Sequence, residues 1–158
     1  MRAFRLAFVF VLLSMVAAAP MSAATARPFK GSWSGETISA DPSGFPVVSI
    51  VAEGGGHLTH LGAYTMFSPH TTDVFTGETL GEQIFTAANG DTLRAYCAGF
   101  ATPDAENIVR GTLNCEITGG TGRFAAATGL YTFSIVASPL PDRPGYATEA
   151  KITGEILY

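Results

Sequence analysis

The chain has 158 residues, 9 basic and 13 acidic, with a formal charge of −4 at neutral pH. An acidic chain of this size suits one domain with one core and excludes a nucleic-acid binder, whose surface must be basic. All 18 glycines lie beyond residue 26, and with the abundant Thr, Phe, Tyr and Val they point to strands and tight turns rather than helices.

Residues 1–26 have the three parts of a secretory leader. Arg2 and Arg5 are the positive start, Leu6 to Ala19 is an apolar run interrupted by Ser14, and Pro20 ends any helix. Ala24-Thr25-Ala26 is the cleavage site, preferred over a cut after Ala19 beside Pro20. The apolar run is shorter than the ~20 residues a membrane-spanning helix needs. Export with cleavage and no stable membrane anchor is therefore expected. Loss of Arg2 and Arg5 leaves residues 27–158 with 7 basic against 13 acidic residues, a formal charge of −6.

Beyond residue 26 no segment keeps a helical period, whereas short runs of period two recur between turn signals. Phe29 to Ile38 sets Phe29, Gly31, Trp33 and Gly35 on one face and Lys30, Ser32, Ser34 and Glu36 on the other. Pro46 to Glu53 is a second strand, and Gly54-Gly55-Gly56 reads as the turn into His57–Phe67. A weaker strand covers Thr71–Thr76, a turn at Gly77 follows, and Leu80–Ala87 is next. Asn89-Gly90 has the signature of a two-residue type I′ hairpin, leading into Thr92–Phe100. Ile108–Ile117 alternates most cleanly, with Val109, Gly111, Leu113, Cys115 and Ile117 on the buried face. Leu130–Ala137 and Thr148–Tyr158 complete eight or nine strands. Hairpins in series favour a closed antiparallel barrel over a sandwich, and about eight strands leave an interior that side chains fill or that holds one small ligand.

The two cysteines, Cys97 and Cys115, enter an oxidising compartment, where an even count favours a disulfide. A hairpin centred on Glu106 places them opposite each other on one face. Two buried free thiols are the competing reading.

Few residues carry specific chemistry. Gly120-x-Gly122-x-x-Ala125 fits the dinucleotide fingerprint, with Asp142 beyond it, but Gly129 and a β-rich segment leave no room for a crossover helix and parallel sheet. No cofactor is expected. The glycines read instead as a barrel corner, polar-free, with Phe124 plugging one end and a short helical turn near 123–127, centred on Ala125–Ala127. His57 and His60 stand three apart on a strand, face opposite sides and cannot chelate one metal; no metal site is expected. His60 shares a strand face with Leu58, Gly62, Tyr64 and Met66. Gly31-x-Trp33 resembles the lipocalin opening motif but is too short to be specific.

Thr59-His60-Leu61-Gly62, Ala87-Ala88-Asn89-Gly90-Asp91-Thr92-Leu93 and the run Ile117 to Gly129 together resemble exported bacterial proteins similar to the allene oxide cyclase-like barrel. Plant dirigent proteins share a related Gly-Gly-Thr-Gly-x-Phe corner. The resemblance implies an eight-stranded antiparallel barrel with a mainly apolar cavity, and trimers in the plant relatives; it assigns no active-site residues here. The function expected is binding of a small hydrophobic molecule, with Trp33, His60, Tyr64 and Met66 as lining. The rival is a cyclase or dirigent-like enzyme needing an ionisable group in the cavity, for which His60 and Glu82 are the candidates. A third reading is a scaffold barrel with a filled interior.

Overall fold

The computed structural model describes residues 25–158; most of the expected leader, residues 1–24, lies outside the described residues. Eight antiparallel strands follow one another around a closed barrel. They are β1 (Arg27–Asp41), β2 (Val47–Leu58), β3 (Gly62–Asp73), β4 (Glu78–Ala87), β5 (Thr92–Pro103), β6 (Val109–Gly120), β7 (Thr128–Pro139) and β8 (Tyr146–Leu157). Each pairs with its sequence neighbour, and β1 returns to β8 from Arg27–Ile156 to Glu36–Ala147, so no edge is left open. The alternation read from the sequence holds on β1, β5 and β6: Phe29 and Trp33, then Leu93, Ala95 and Cys97, then Leu113, Cys115 and Ile117 are buried.

The eight-strand count comes from one long β3 in place of two pieces. Pro69 suggests a break because it has no N–H for a ladder. The β3–β4 register pairs Phe67 with Ile84 and His70 with Gly81 but leaves Ser68 and Pro69 without partners, so the proline falls in a gap of that ladder. The turn expected at Gly54-Gly55-Gly56 is also absent; these glycines lie inside β2, opposite Gly35, Ser34 and Trp33. A Cβ on Gly54 would strike the Ser34 carbonyl, and one on Gly56 the Ser32 carbonyl, with the Tyr64 hydroxyl at 3.0 Å. Bare backbone there lets β1 and β2 approach closely beneath the Trp33 and Tyr64 rings.

The chain turns instead at Thr59–Leu61, with His60 in the left-handed region at φ 71°. Asn89-Gly90 does make a hairpin, but only Gly90 has positive φ, at 86°. Gly90 N–H donates to Ala87 O and Ala87 N–H to Asp91 O, the pattern of a type I turn followed by a glycine bulge rather than type I′.

The Gly119–Gly129 corner is structural. Gly119, Gly122 and Gly129 all have positive φ, and a Cβ on Gly122 would strike the Asp91 carboxylate. The helical turn is a 3-10 turn at Gly122–Phe124, slightly earlier than expected, and the side chain of Phe124 is fully buried. The corner is not polar-free. Arg123 pairs with Asp91 at 3.8 Å, and Thr92 N–H donates to the Thr121 hydroxyl at 2.8 Å.

Candidate functional site

The two ends of the barrel differ. At the end carrying the β2–β3, β4–β5 and β6–β7 turns, Phe29, Leu58, Phe85, Leu93, Phe124 and Ile156 are each 0% exposed and close the interior. Phe29 packs on Phe85 edge-on at 6.4 Å and on Tyr131 at 5.3 Å, which makes this floor a stack of aromatic rings. The other half contains a cavity of about 420 Å³ that opens between the β1–β2, β3–β4, β5–β6 and β7–β8 connections. Trp33 and Phe133, 5.9 Å apart, lie at its base. Val48, Ile50, Leu113 and Ile135 form apolar walls. At the rim, Phe45 and Phe75 from adjacent loops stack edge-on at 5.3 Å although both are largely exposed.

Of the four expected lining residues, Trp33 and Met66 border the cavity. Tyr64 points inward but lies deeper, where its hydroxyl donates to Ser32 O at 2.9 Å and burial raises its pKa. His60 belongs to the closed end. Sitting in the β2–β3 turn, it does not share the inward face of Leu58 and Tyr64. Its ring contacts Pro28 O at 3.0 Å and the Tyr158 hydroxyl at 3.2 Å. Glu82 borders the cavity but is exposed, since Gly81 and Gln83 take the inward positions beside it.

Of the side chains that border the cavity, His70 is the one whose ordinary pKa lies near neutrality; the sequence pattern hid it because it falls between the two strands expected there. On the continuous β3 it falls on the same face as Tyr64, Met66 and Ser68, an even spacing that would have revealed it once the strand was read through Pro69. Its Nδ1 lies 3.0 Å from Ser68 O. A carbonyl only accepts, so Nδ1 carries the proton and neutral His70 keeps a lone pair on Nε2. Burial lowers the His70 pKa, partly countered by that hydrogen bond.

Further polar side chains lie on the cavity wall or just beneath it. The Tyr131 hydroxyl donates to Gln83 Oε1 at 2.7 Å, and burial raises the Tyr131 pKa and keeps the phenol protonated. Thr72 and Thr79 hydroxyls meet at 3.1 Å. Trp33 Nε1 is the one buried side-chain nitrogen or oxygen among the described residues without a hydrogen-bond partner.

Cys97 and Cys115 pair directly across β5 and β6 and form a disulfide with Cα atoms 4.0 Å apart. Such a bond fits an oxidising compartment. Among the described residues no group of three or more His, Cys, Asp or Glu side chains is placed to hold a metal ion. Comparison of the chain with protein-family models, with curated proteins and with solved structures finds no match.

Proposed function

We propose that the chain is an exported barrel that takes one small, largely apolar molecule into its open half. The observation that carries this reading is the 420 Å³ cavity itself, apolar on most of its wall and open at one end. Its volume lies within the range of small-molecule pockets, roughly 300–1,000 Å³. The unpartnered Trp33 indole and the exposed Phe45–Phe75 pair at the rim support it. The leader-like residues 1–26 and the disulfide support export. The resemblance to allene oxide cyclase-like barrels adds a trimeric assembly, which sedimentation of the purified protein tests.

Trp33 is the only tryptophan of the chain, so its emission reports on the cavity directly. Titration with apolar fluorophores should give saturable binding at one site per chain and quench or shift that emission. Organic extraction of protein purified from its native compartment should release a bound apolar compound. A barrel that takes up no probe and yields no extract would return the molecule to the scaffold reading.

A second reading, a cyclase or dirigent-like enzyme acting on an apolar intermediate, is favoured by a single observation: an imidazole faces the cavity. Under it the working group is His70 rather than His60 or Glu82. Turnover abolished in a His70→Leu variant that still binds the apolar molecule would support it.

A further inference from the structure

The polar wall of the cavity has a definite donor and acceptor pattern. His70 and Gln83 lie on neighbouring strands, with His70 directly opposite Gly81 and Gln83 two residues further along β4. They are therefore diagonal neighbours on the inward face, within reach of a common atom. Gly81 has no side chain, and a Cβ there would strike His70 Cα and Cβ, so bare backbone is required opposite the histidine. His70 Nδ1 is committed to Ser68 O, so Nε2 presents an acceptor. Gln83 Oε1 is committed to the Tyr131 hydroxyl, so its amide nitrogen presents donors. None of the hydrogen bonds of the described residues uses that nitrogen, and it is not sealed from solvent as Trp33 Nε1 is, so it opens onto the cavity that Gln83 lines. A ligand acceptor that meets this nitrogen contributes about one net hydrogen bond.

The charge of the surroundings narrows the ligand further. No Lys or Arg lines the cavity, and its one carboxylate residue, Glu82, is exposed. An anionic headgroup would be desolvated with no cation to meet it. A hydroxyl fits instead, because one oxygen both donates and accepts.

We propose that the cavity selects an uncharged, mainly aliphatic alcohol, whose hydroxyl donates to His70 Nε2 and accepts from the Gln83 side-chain amide. This rests on the reading of the cavity as a ligand site and adds the chemical class of the ligand.

The test compares 1-decanol, its methyl ether and decanoate on the wild-type chain, followed by Trp33 emission. The ether keeps the acceptor and loses the donor; decanoate brings the charge. The alcohol should bind roughly tenfold more tightly than the ether, as one net hydrogen bond contributes. Decanoate should bind most weakly. In His70→Leu the alcohol and ether should converge to within about twofold while the ether keeps its wild-type affinity. The wild-type series decides the matter even if that variant fails to fold. Equal affinities for alcohol and ether, or tightest binding of decanoate, would overturn the proposal and leave the cavity reading standing. Binding of none of the three would remove both.

Discussion

His70 sits half-buried on the cavity wall with its proton-bearing nitrogen tied to Ser68 O, and its pKa is lowered by desolvation. The consequence for stability has a definite sign. Between the lowered folded value and the unfolded value of 6.5, the unfolded chain binds more protons, so stability is full above 6.5 and falls as pH drops below it. Asp41, Asp73 and Asp104 act in a separate window. Backbone N–H groups of Ser43, Thr76 and Ile108 are the main cause holding their pKa values below 3.8, so their contribution is lost only as pH falls beneath that. Thermal melts of the wild type should therefore show a first loss that begins as pH falls below about 6.5, and His70→Leu should flatten that step while leaving the more acidic one. Gly56 is the second decisive residue. Gly56→Ala drives a Cβ into the Ser32 carbonyl, backbone that cannot swing aside, and should cost about 3 kcal/mol in denaturant titrations. Both residues were illegible in the sequence for the same reason. A glycine triplet and a Ser-Pro step look like turns locally, and only the rings and ladder gaps of neighbouring strands make them strand interior.

At the scale of the strands, the local pattern was far more informative. Period-two alternation on β1, β5 and β6 identified the inward sets because each of these strands has one buried and one wet face. The same alternation, counted about Glu106, placed Cys97 opposite Cys115. That hairpin is now testable as a unit. The disulfide closes residues 18 apart in sequence, and replacing both cysteines by Ala should lower stability by about 3 kcal/mol on the chain-entropy account. The barrel should still form, since the other seven strand pairings are untouched. The glycine corner makes a harsher prediction. Phe124 is fully buried between the 3-10 turn and the floor, 5.2 Å from the Tyr158 ring. Phe124→Ala should cost roughly 4 kcal/mol by emptying that space. The hairpin at Asn89-Gly90 was recognisable as an element but not in its type, because Asn-Gly also suits a type I turn with a trailing glycine.

The molecule as a whole is asymmetric along the barrel axis. Packing fills one half with aromatic and aliphatic rings, while the other half, walled by shorter side chains and interrupted by Ser68, His70, Thr72 and Gln83, stays hollow. Eight strands were expected to be compatible with either outcome. Which half fills depends on which inward positions carry Phe, Leu and Tyr across all strands at once, a property of the register that no single segment displays. This gradient ties the proposals together: the proposed ligand contacts sit on the hollow half, and the residues carrying most of the packing sit on the other. Substitutions at His70 and Gln83 should therefore change binding more than melting, and Phe124→Ala the reverse.

The closed floor has a kinetic consequence. A vessel with one entrance and room for about one occupant cannot hand over its contents by displacement, because an incoming molecule has no path around the resident one. Exchange must follow strict turn-taking, with departure first and arrival second. In a stopped-flow chase, the release rate of a bound fluorophore should stay constant however much competitor is added, and one enlarged escape route at the Phe124 end should be enough to break that rule.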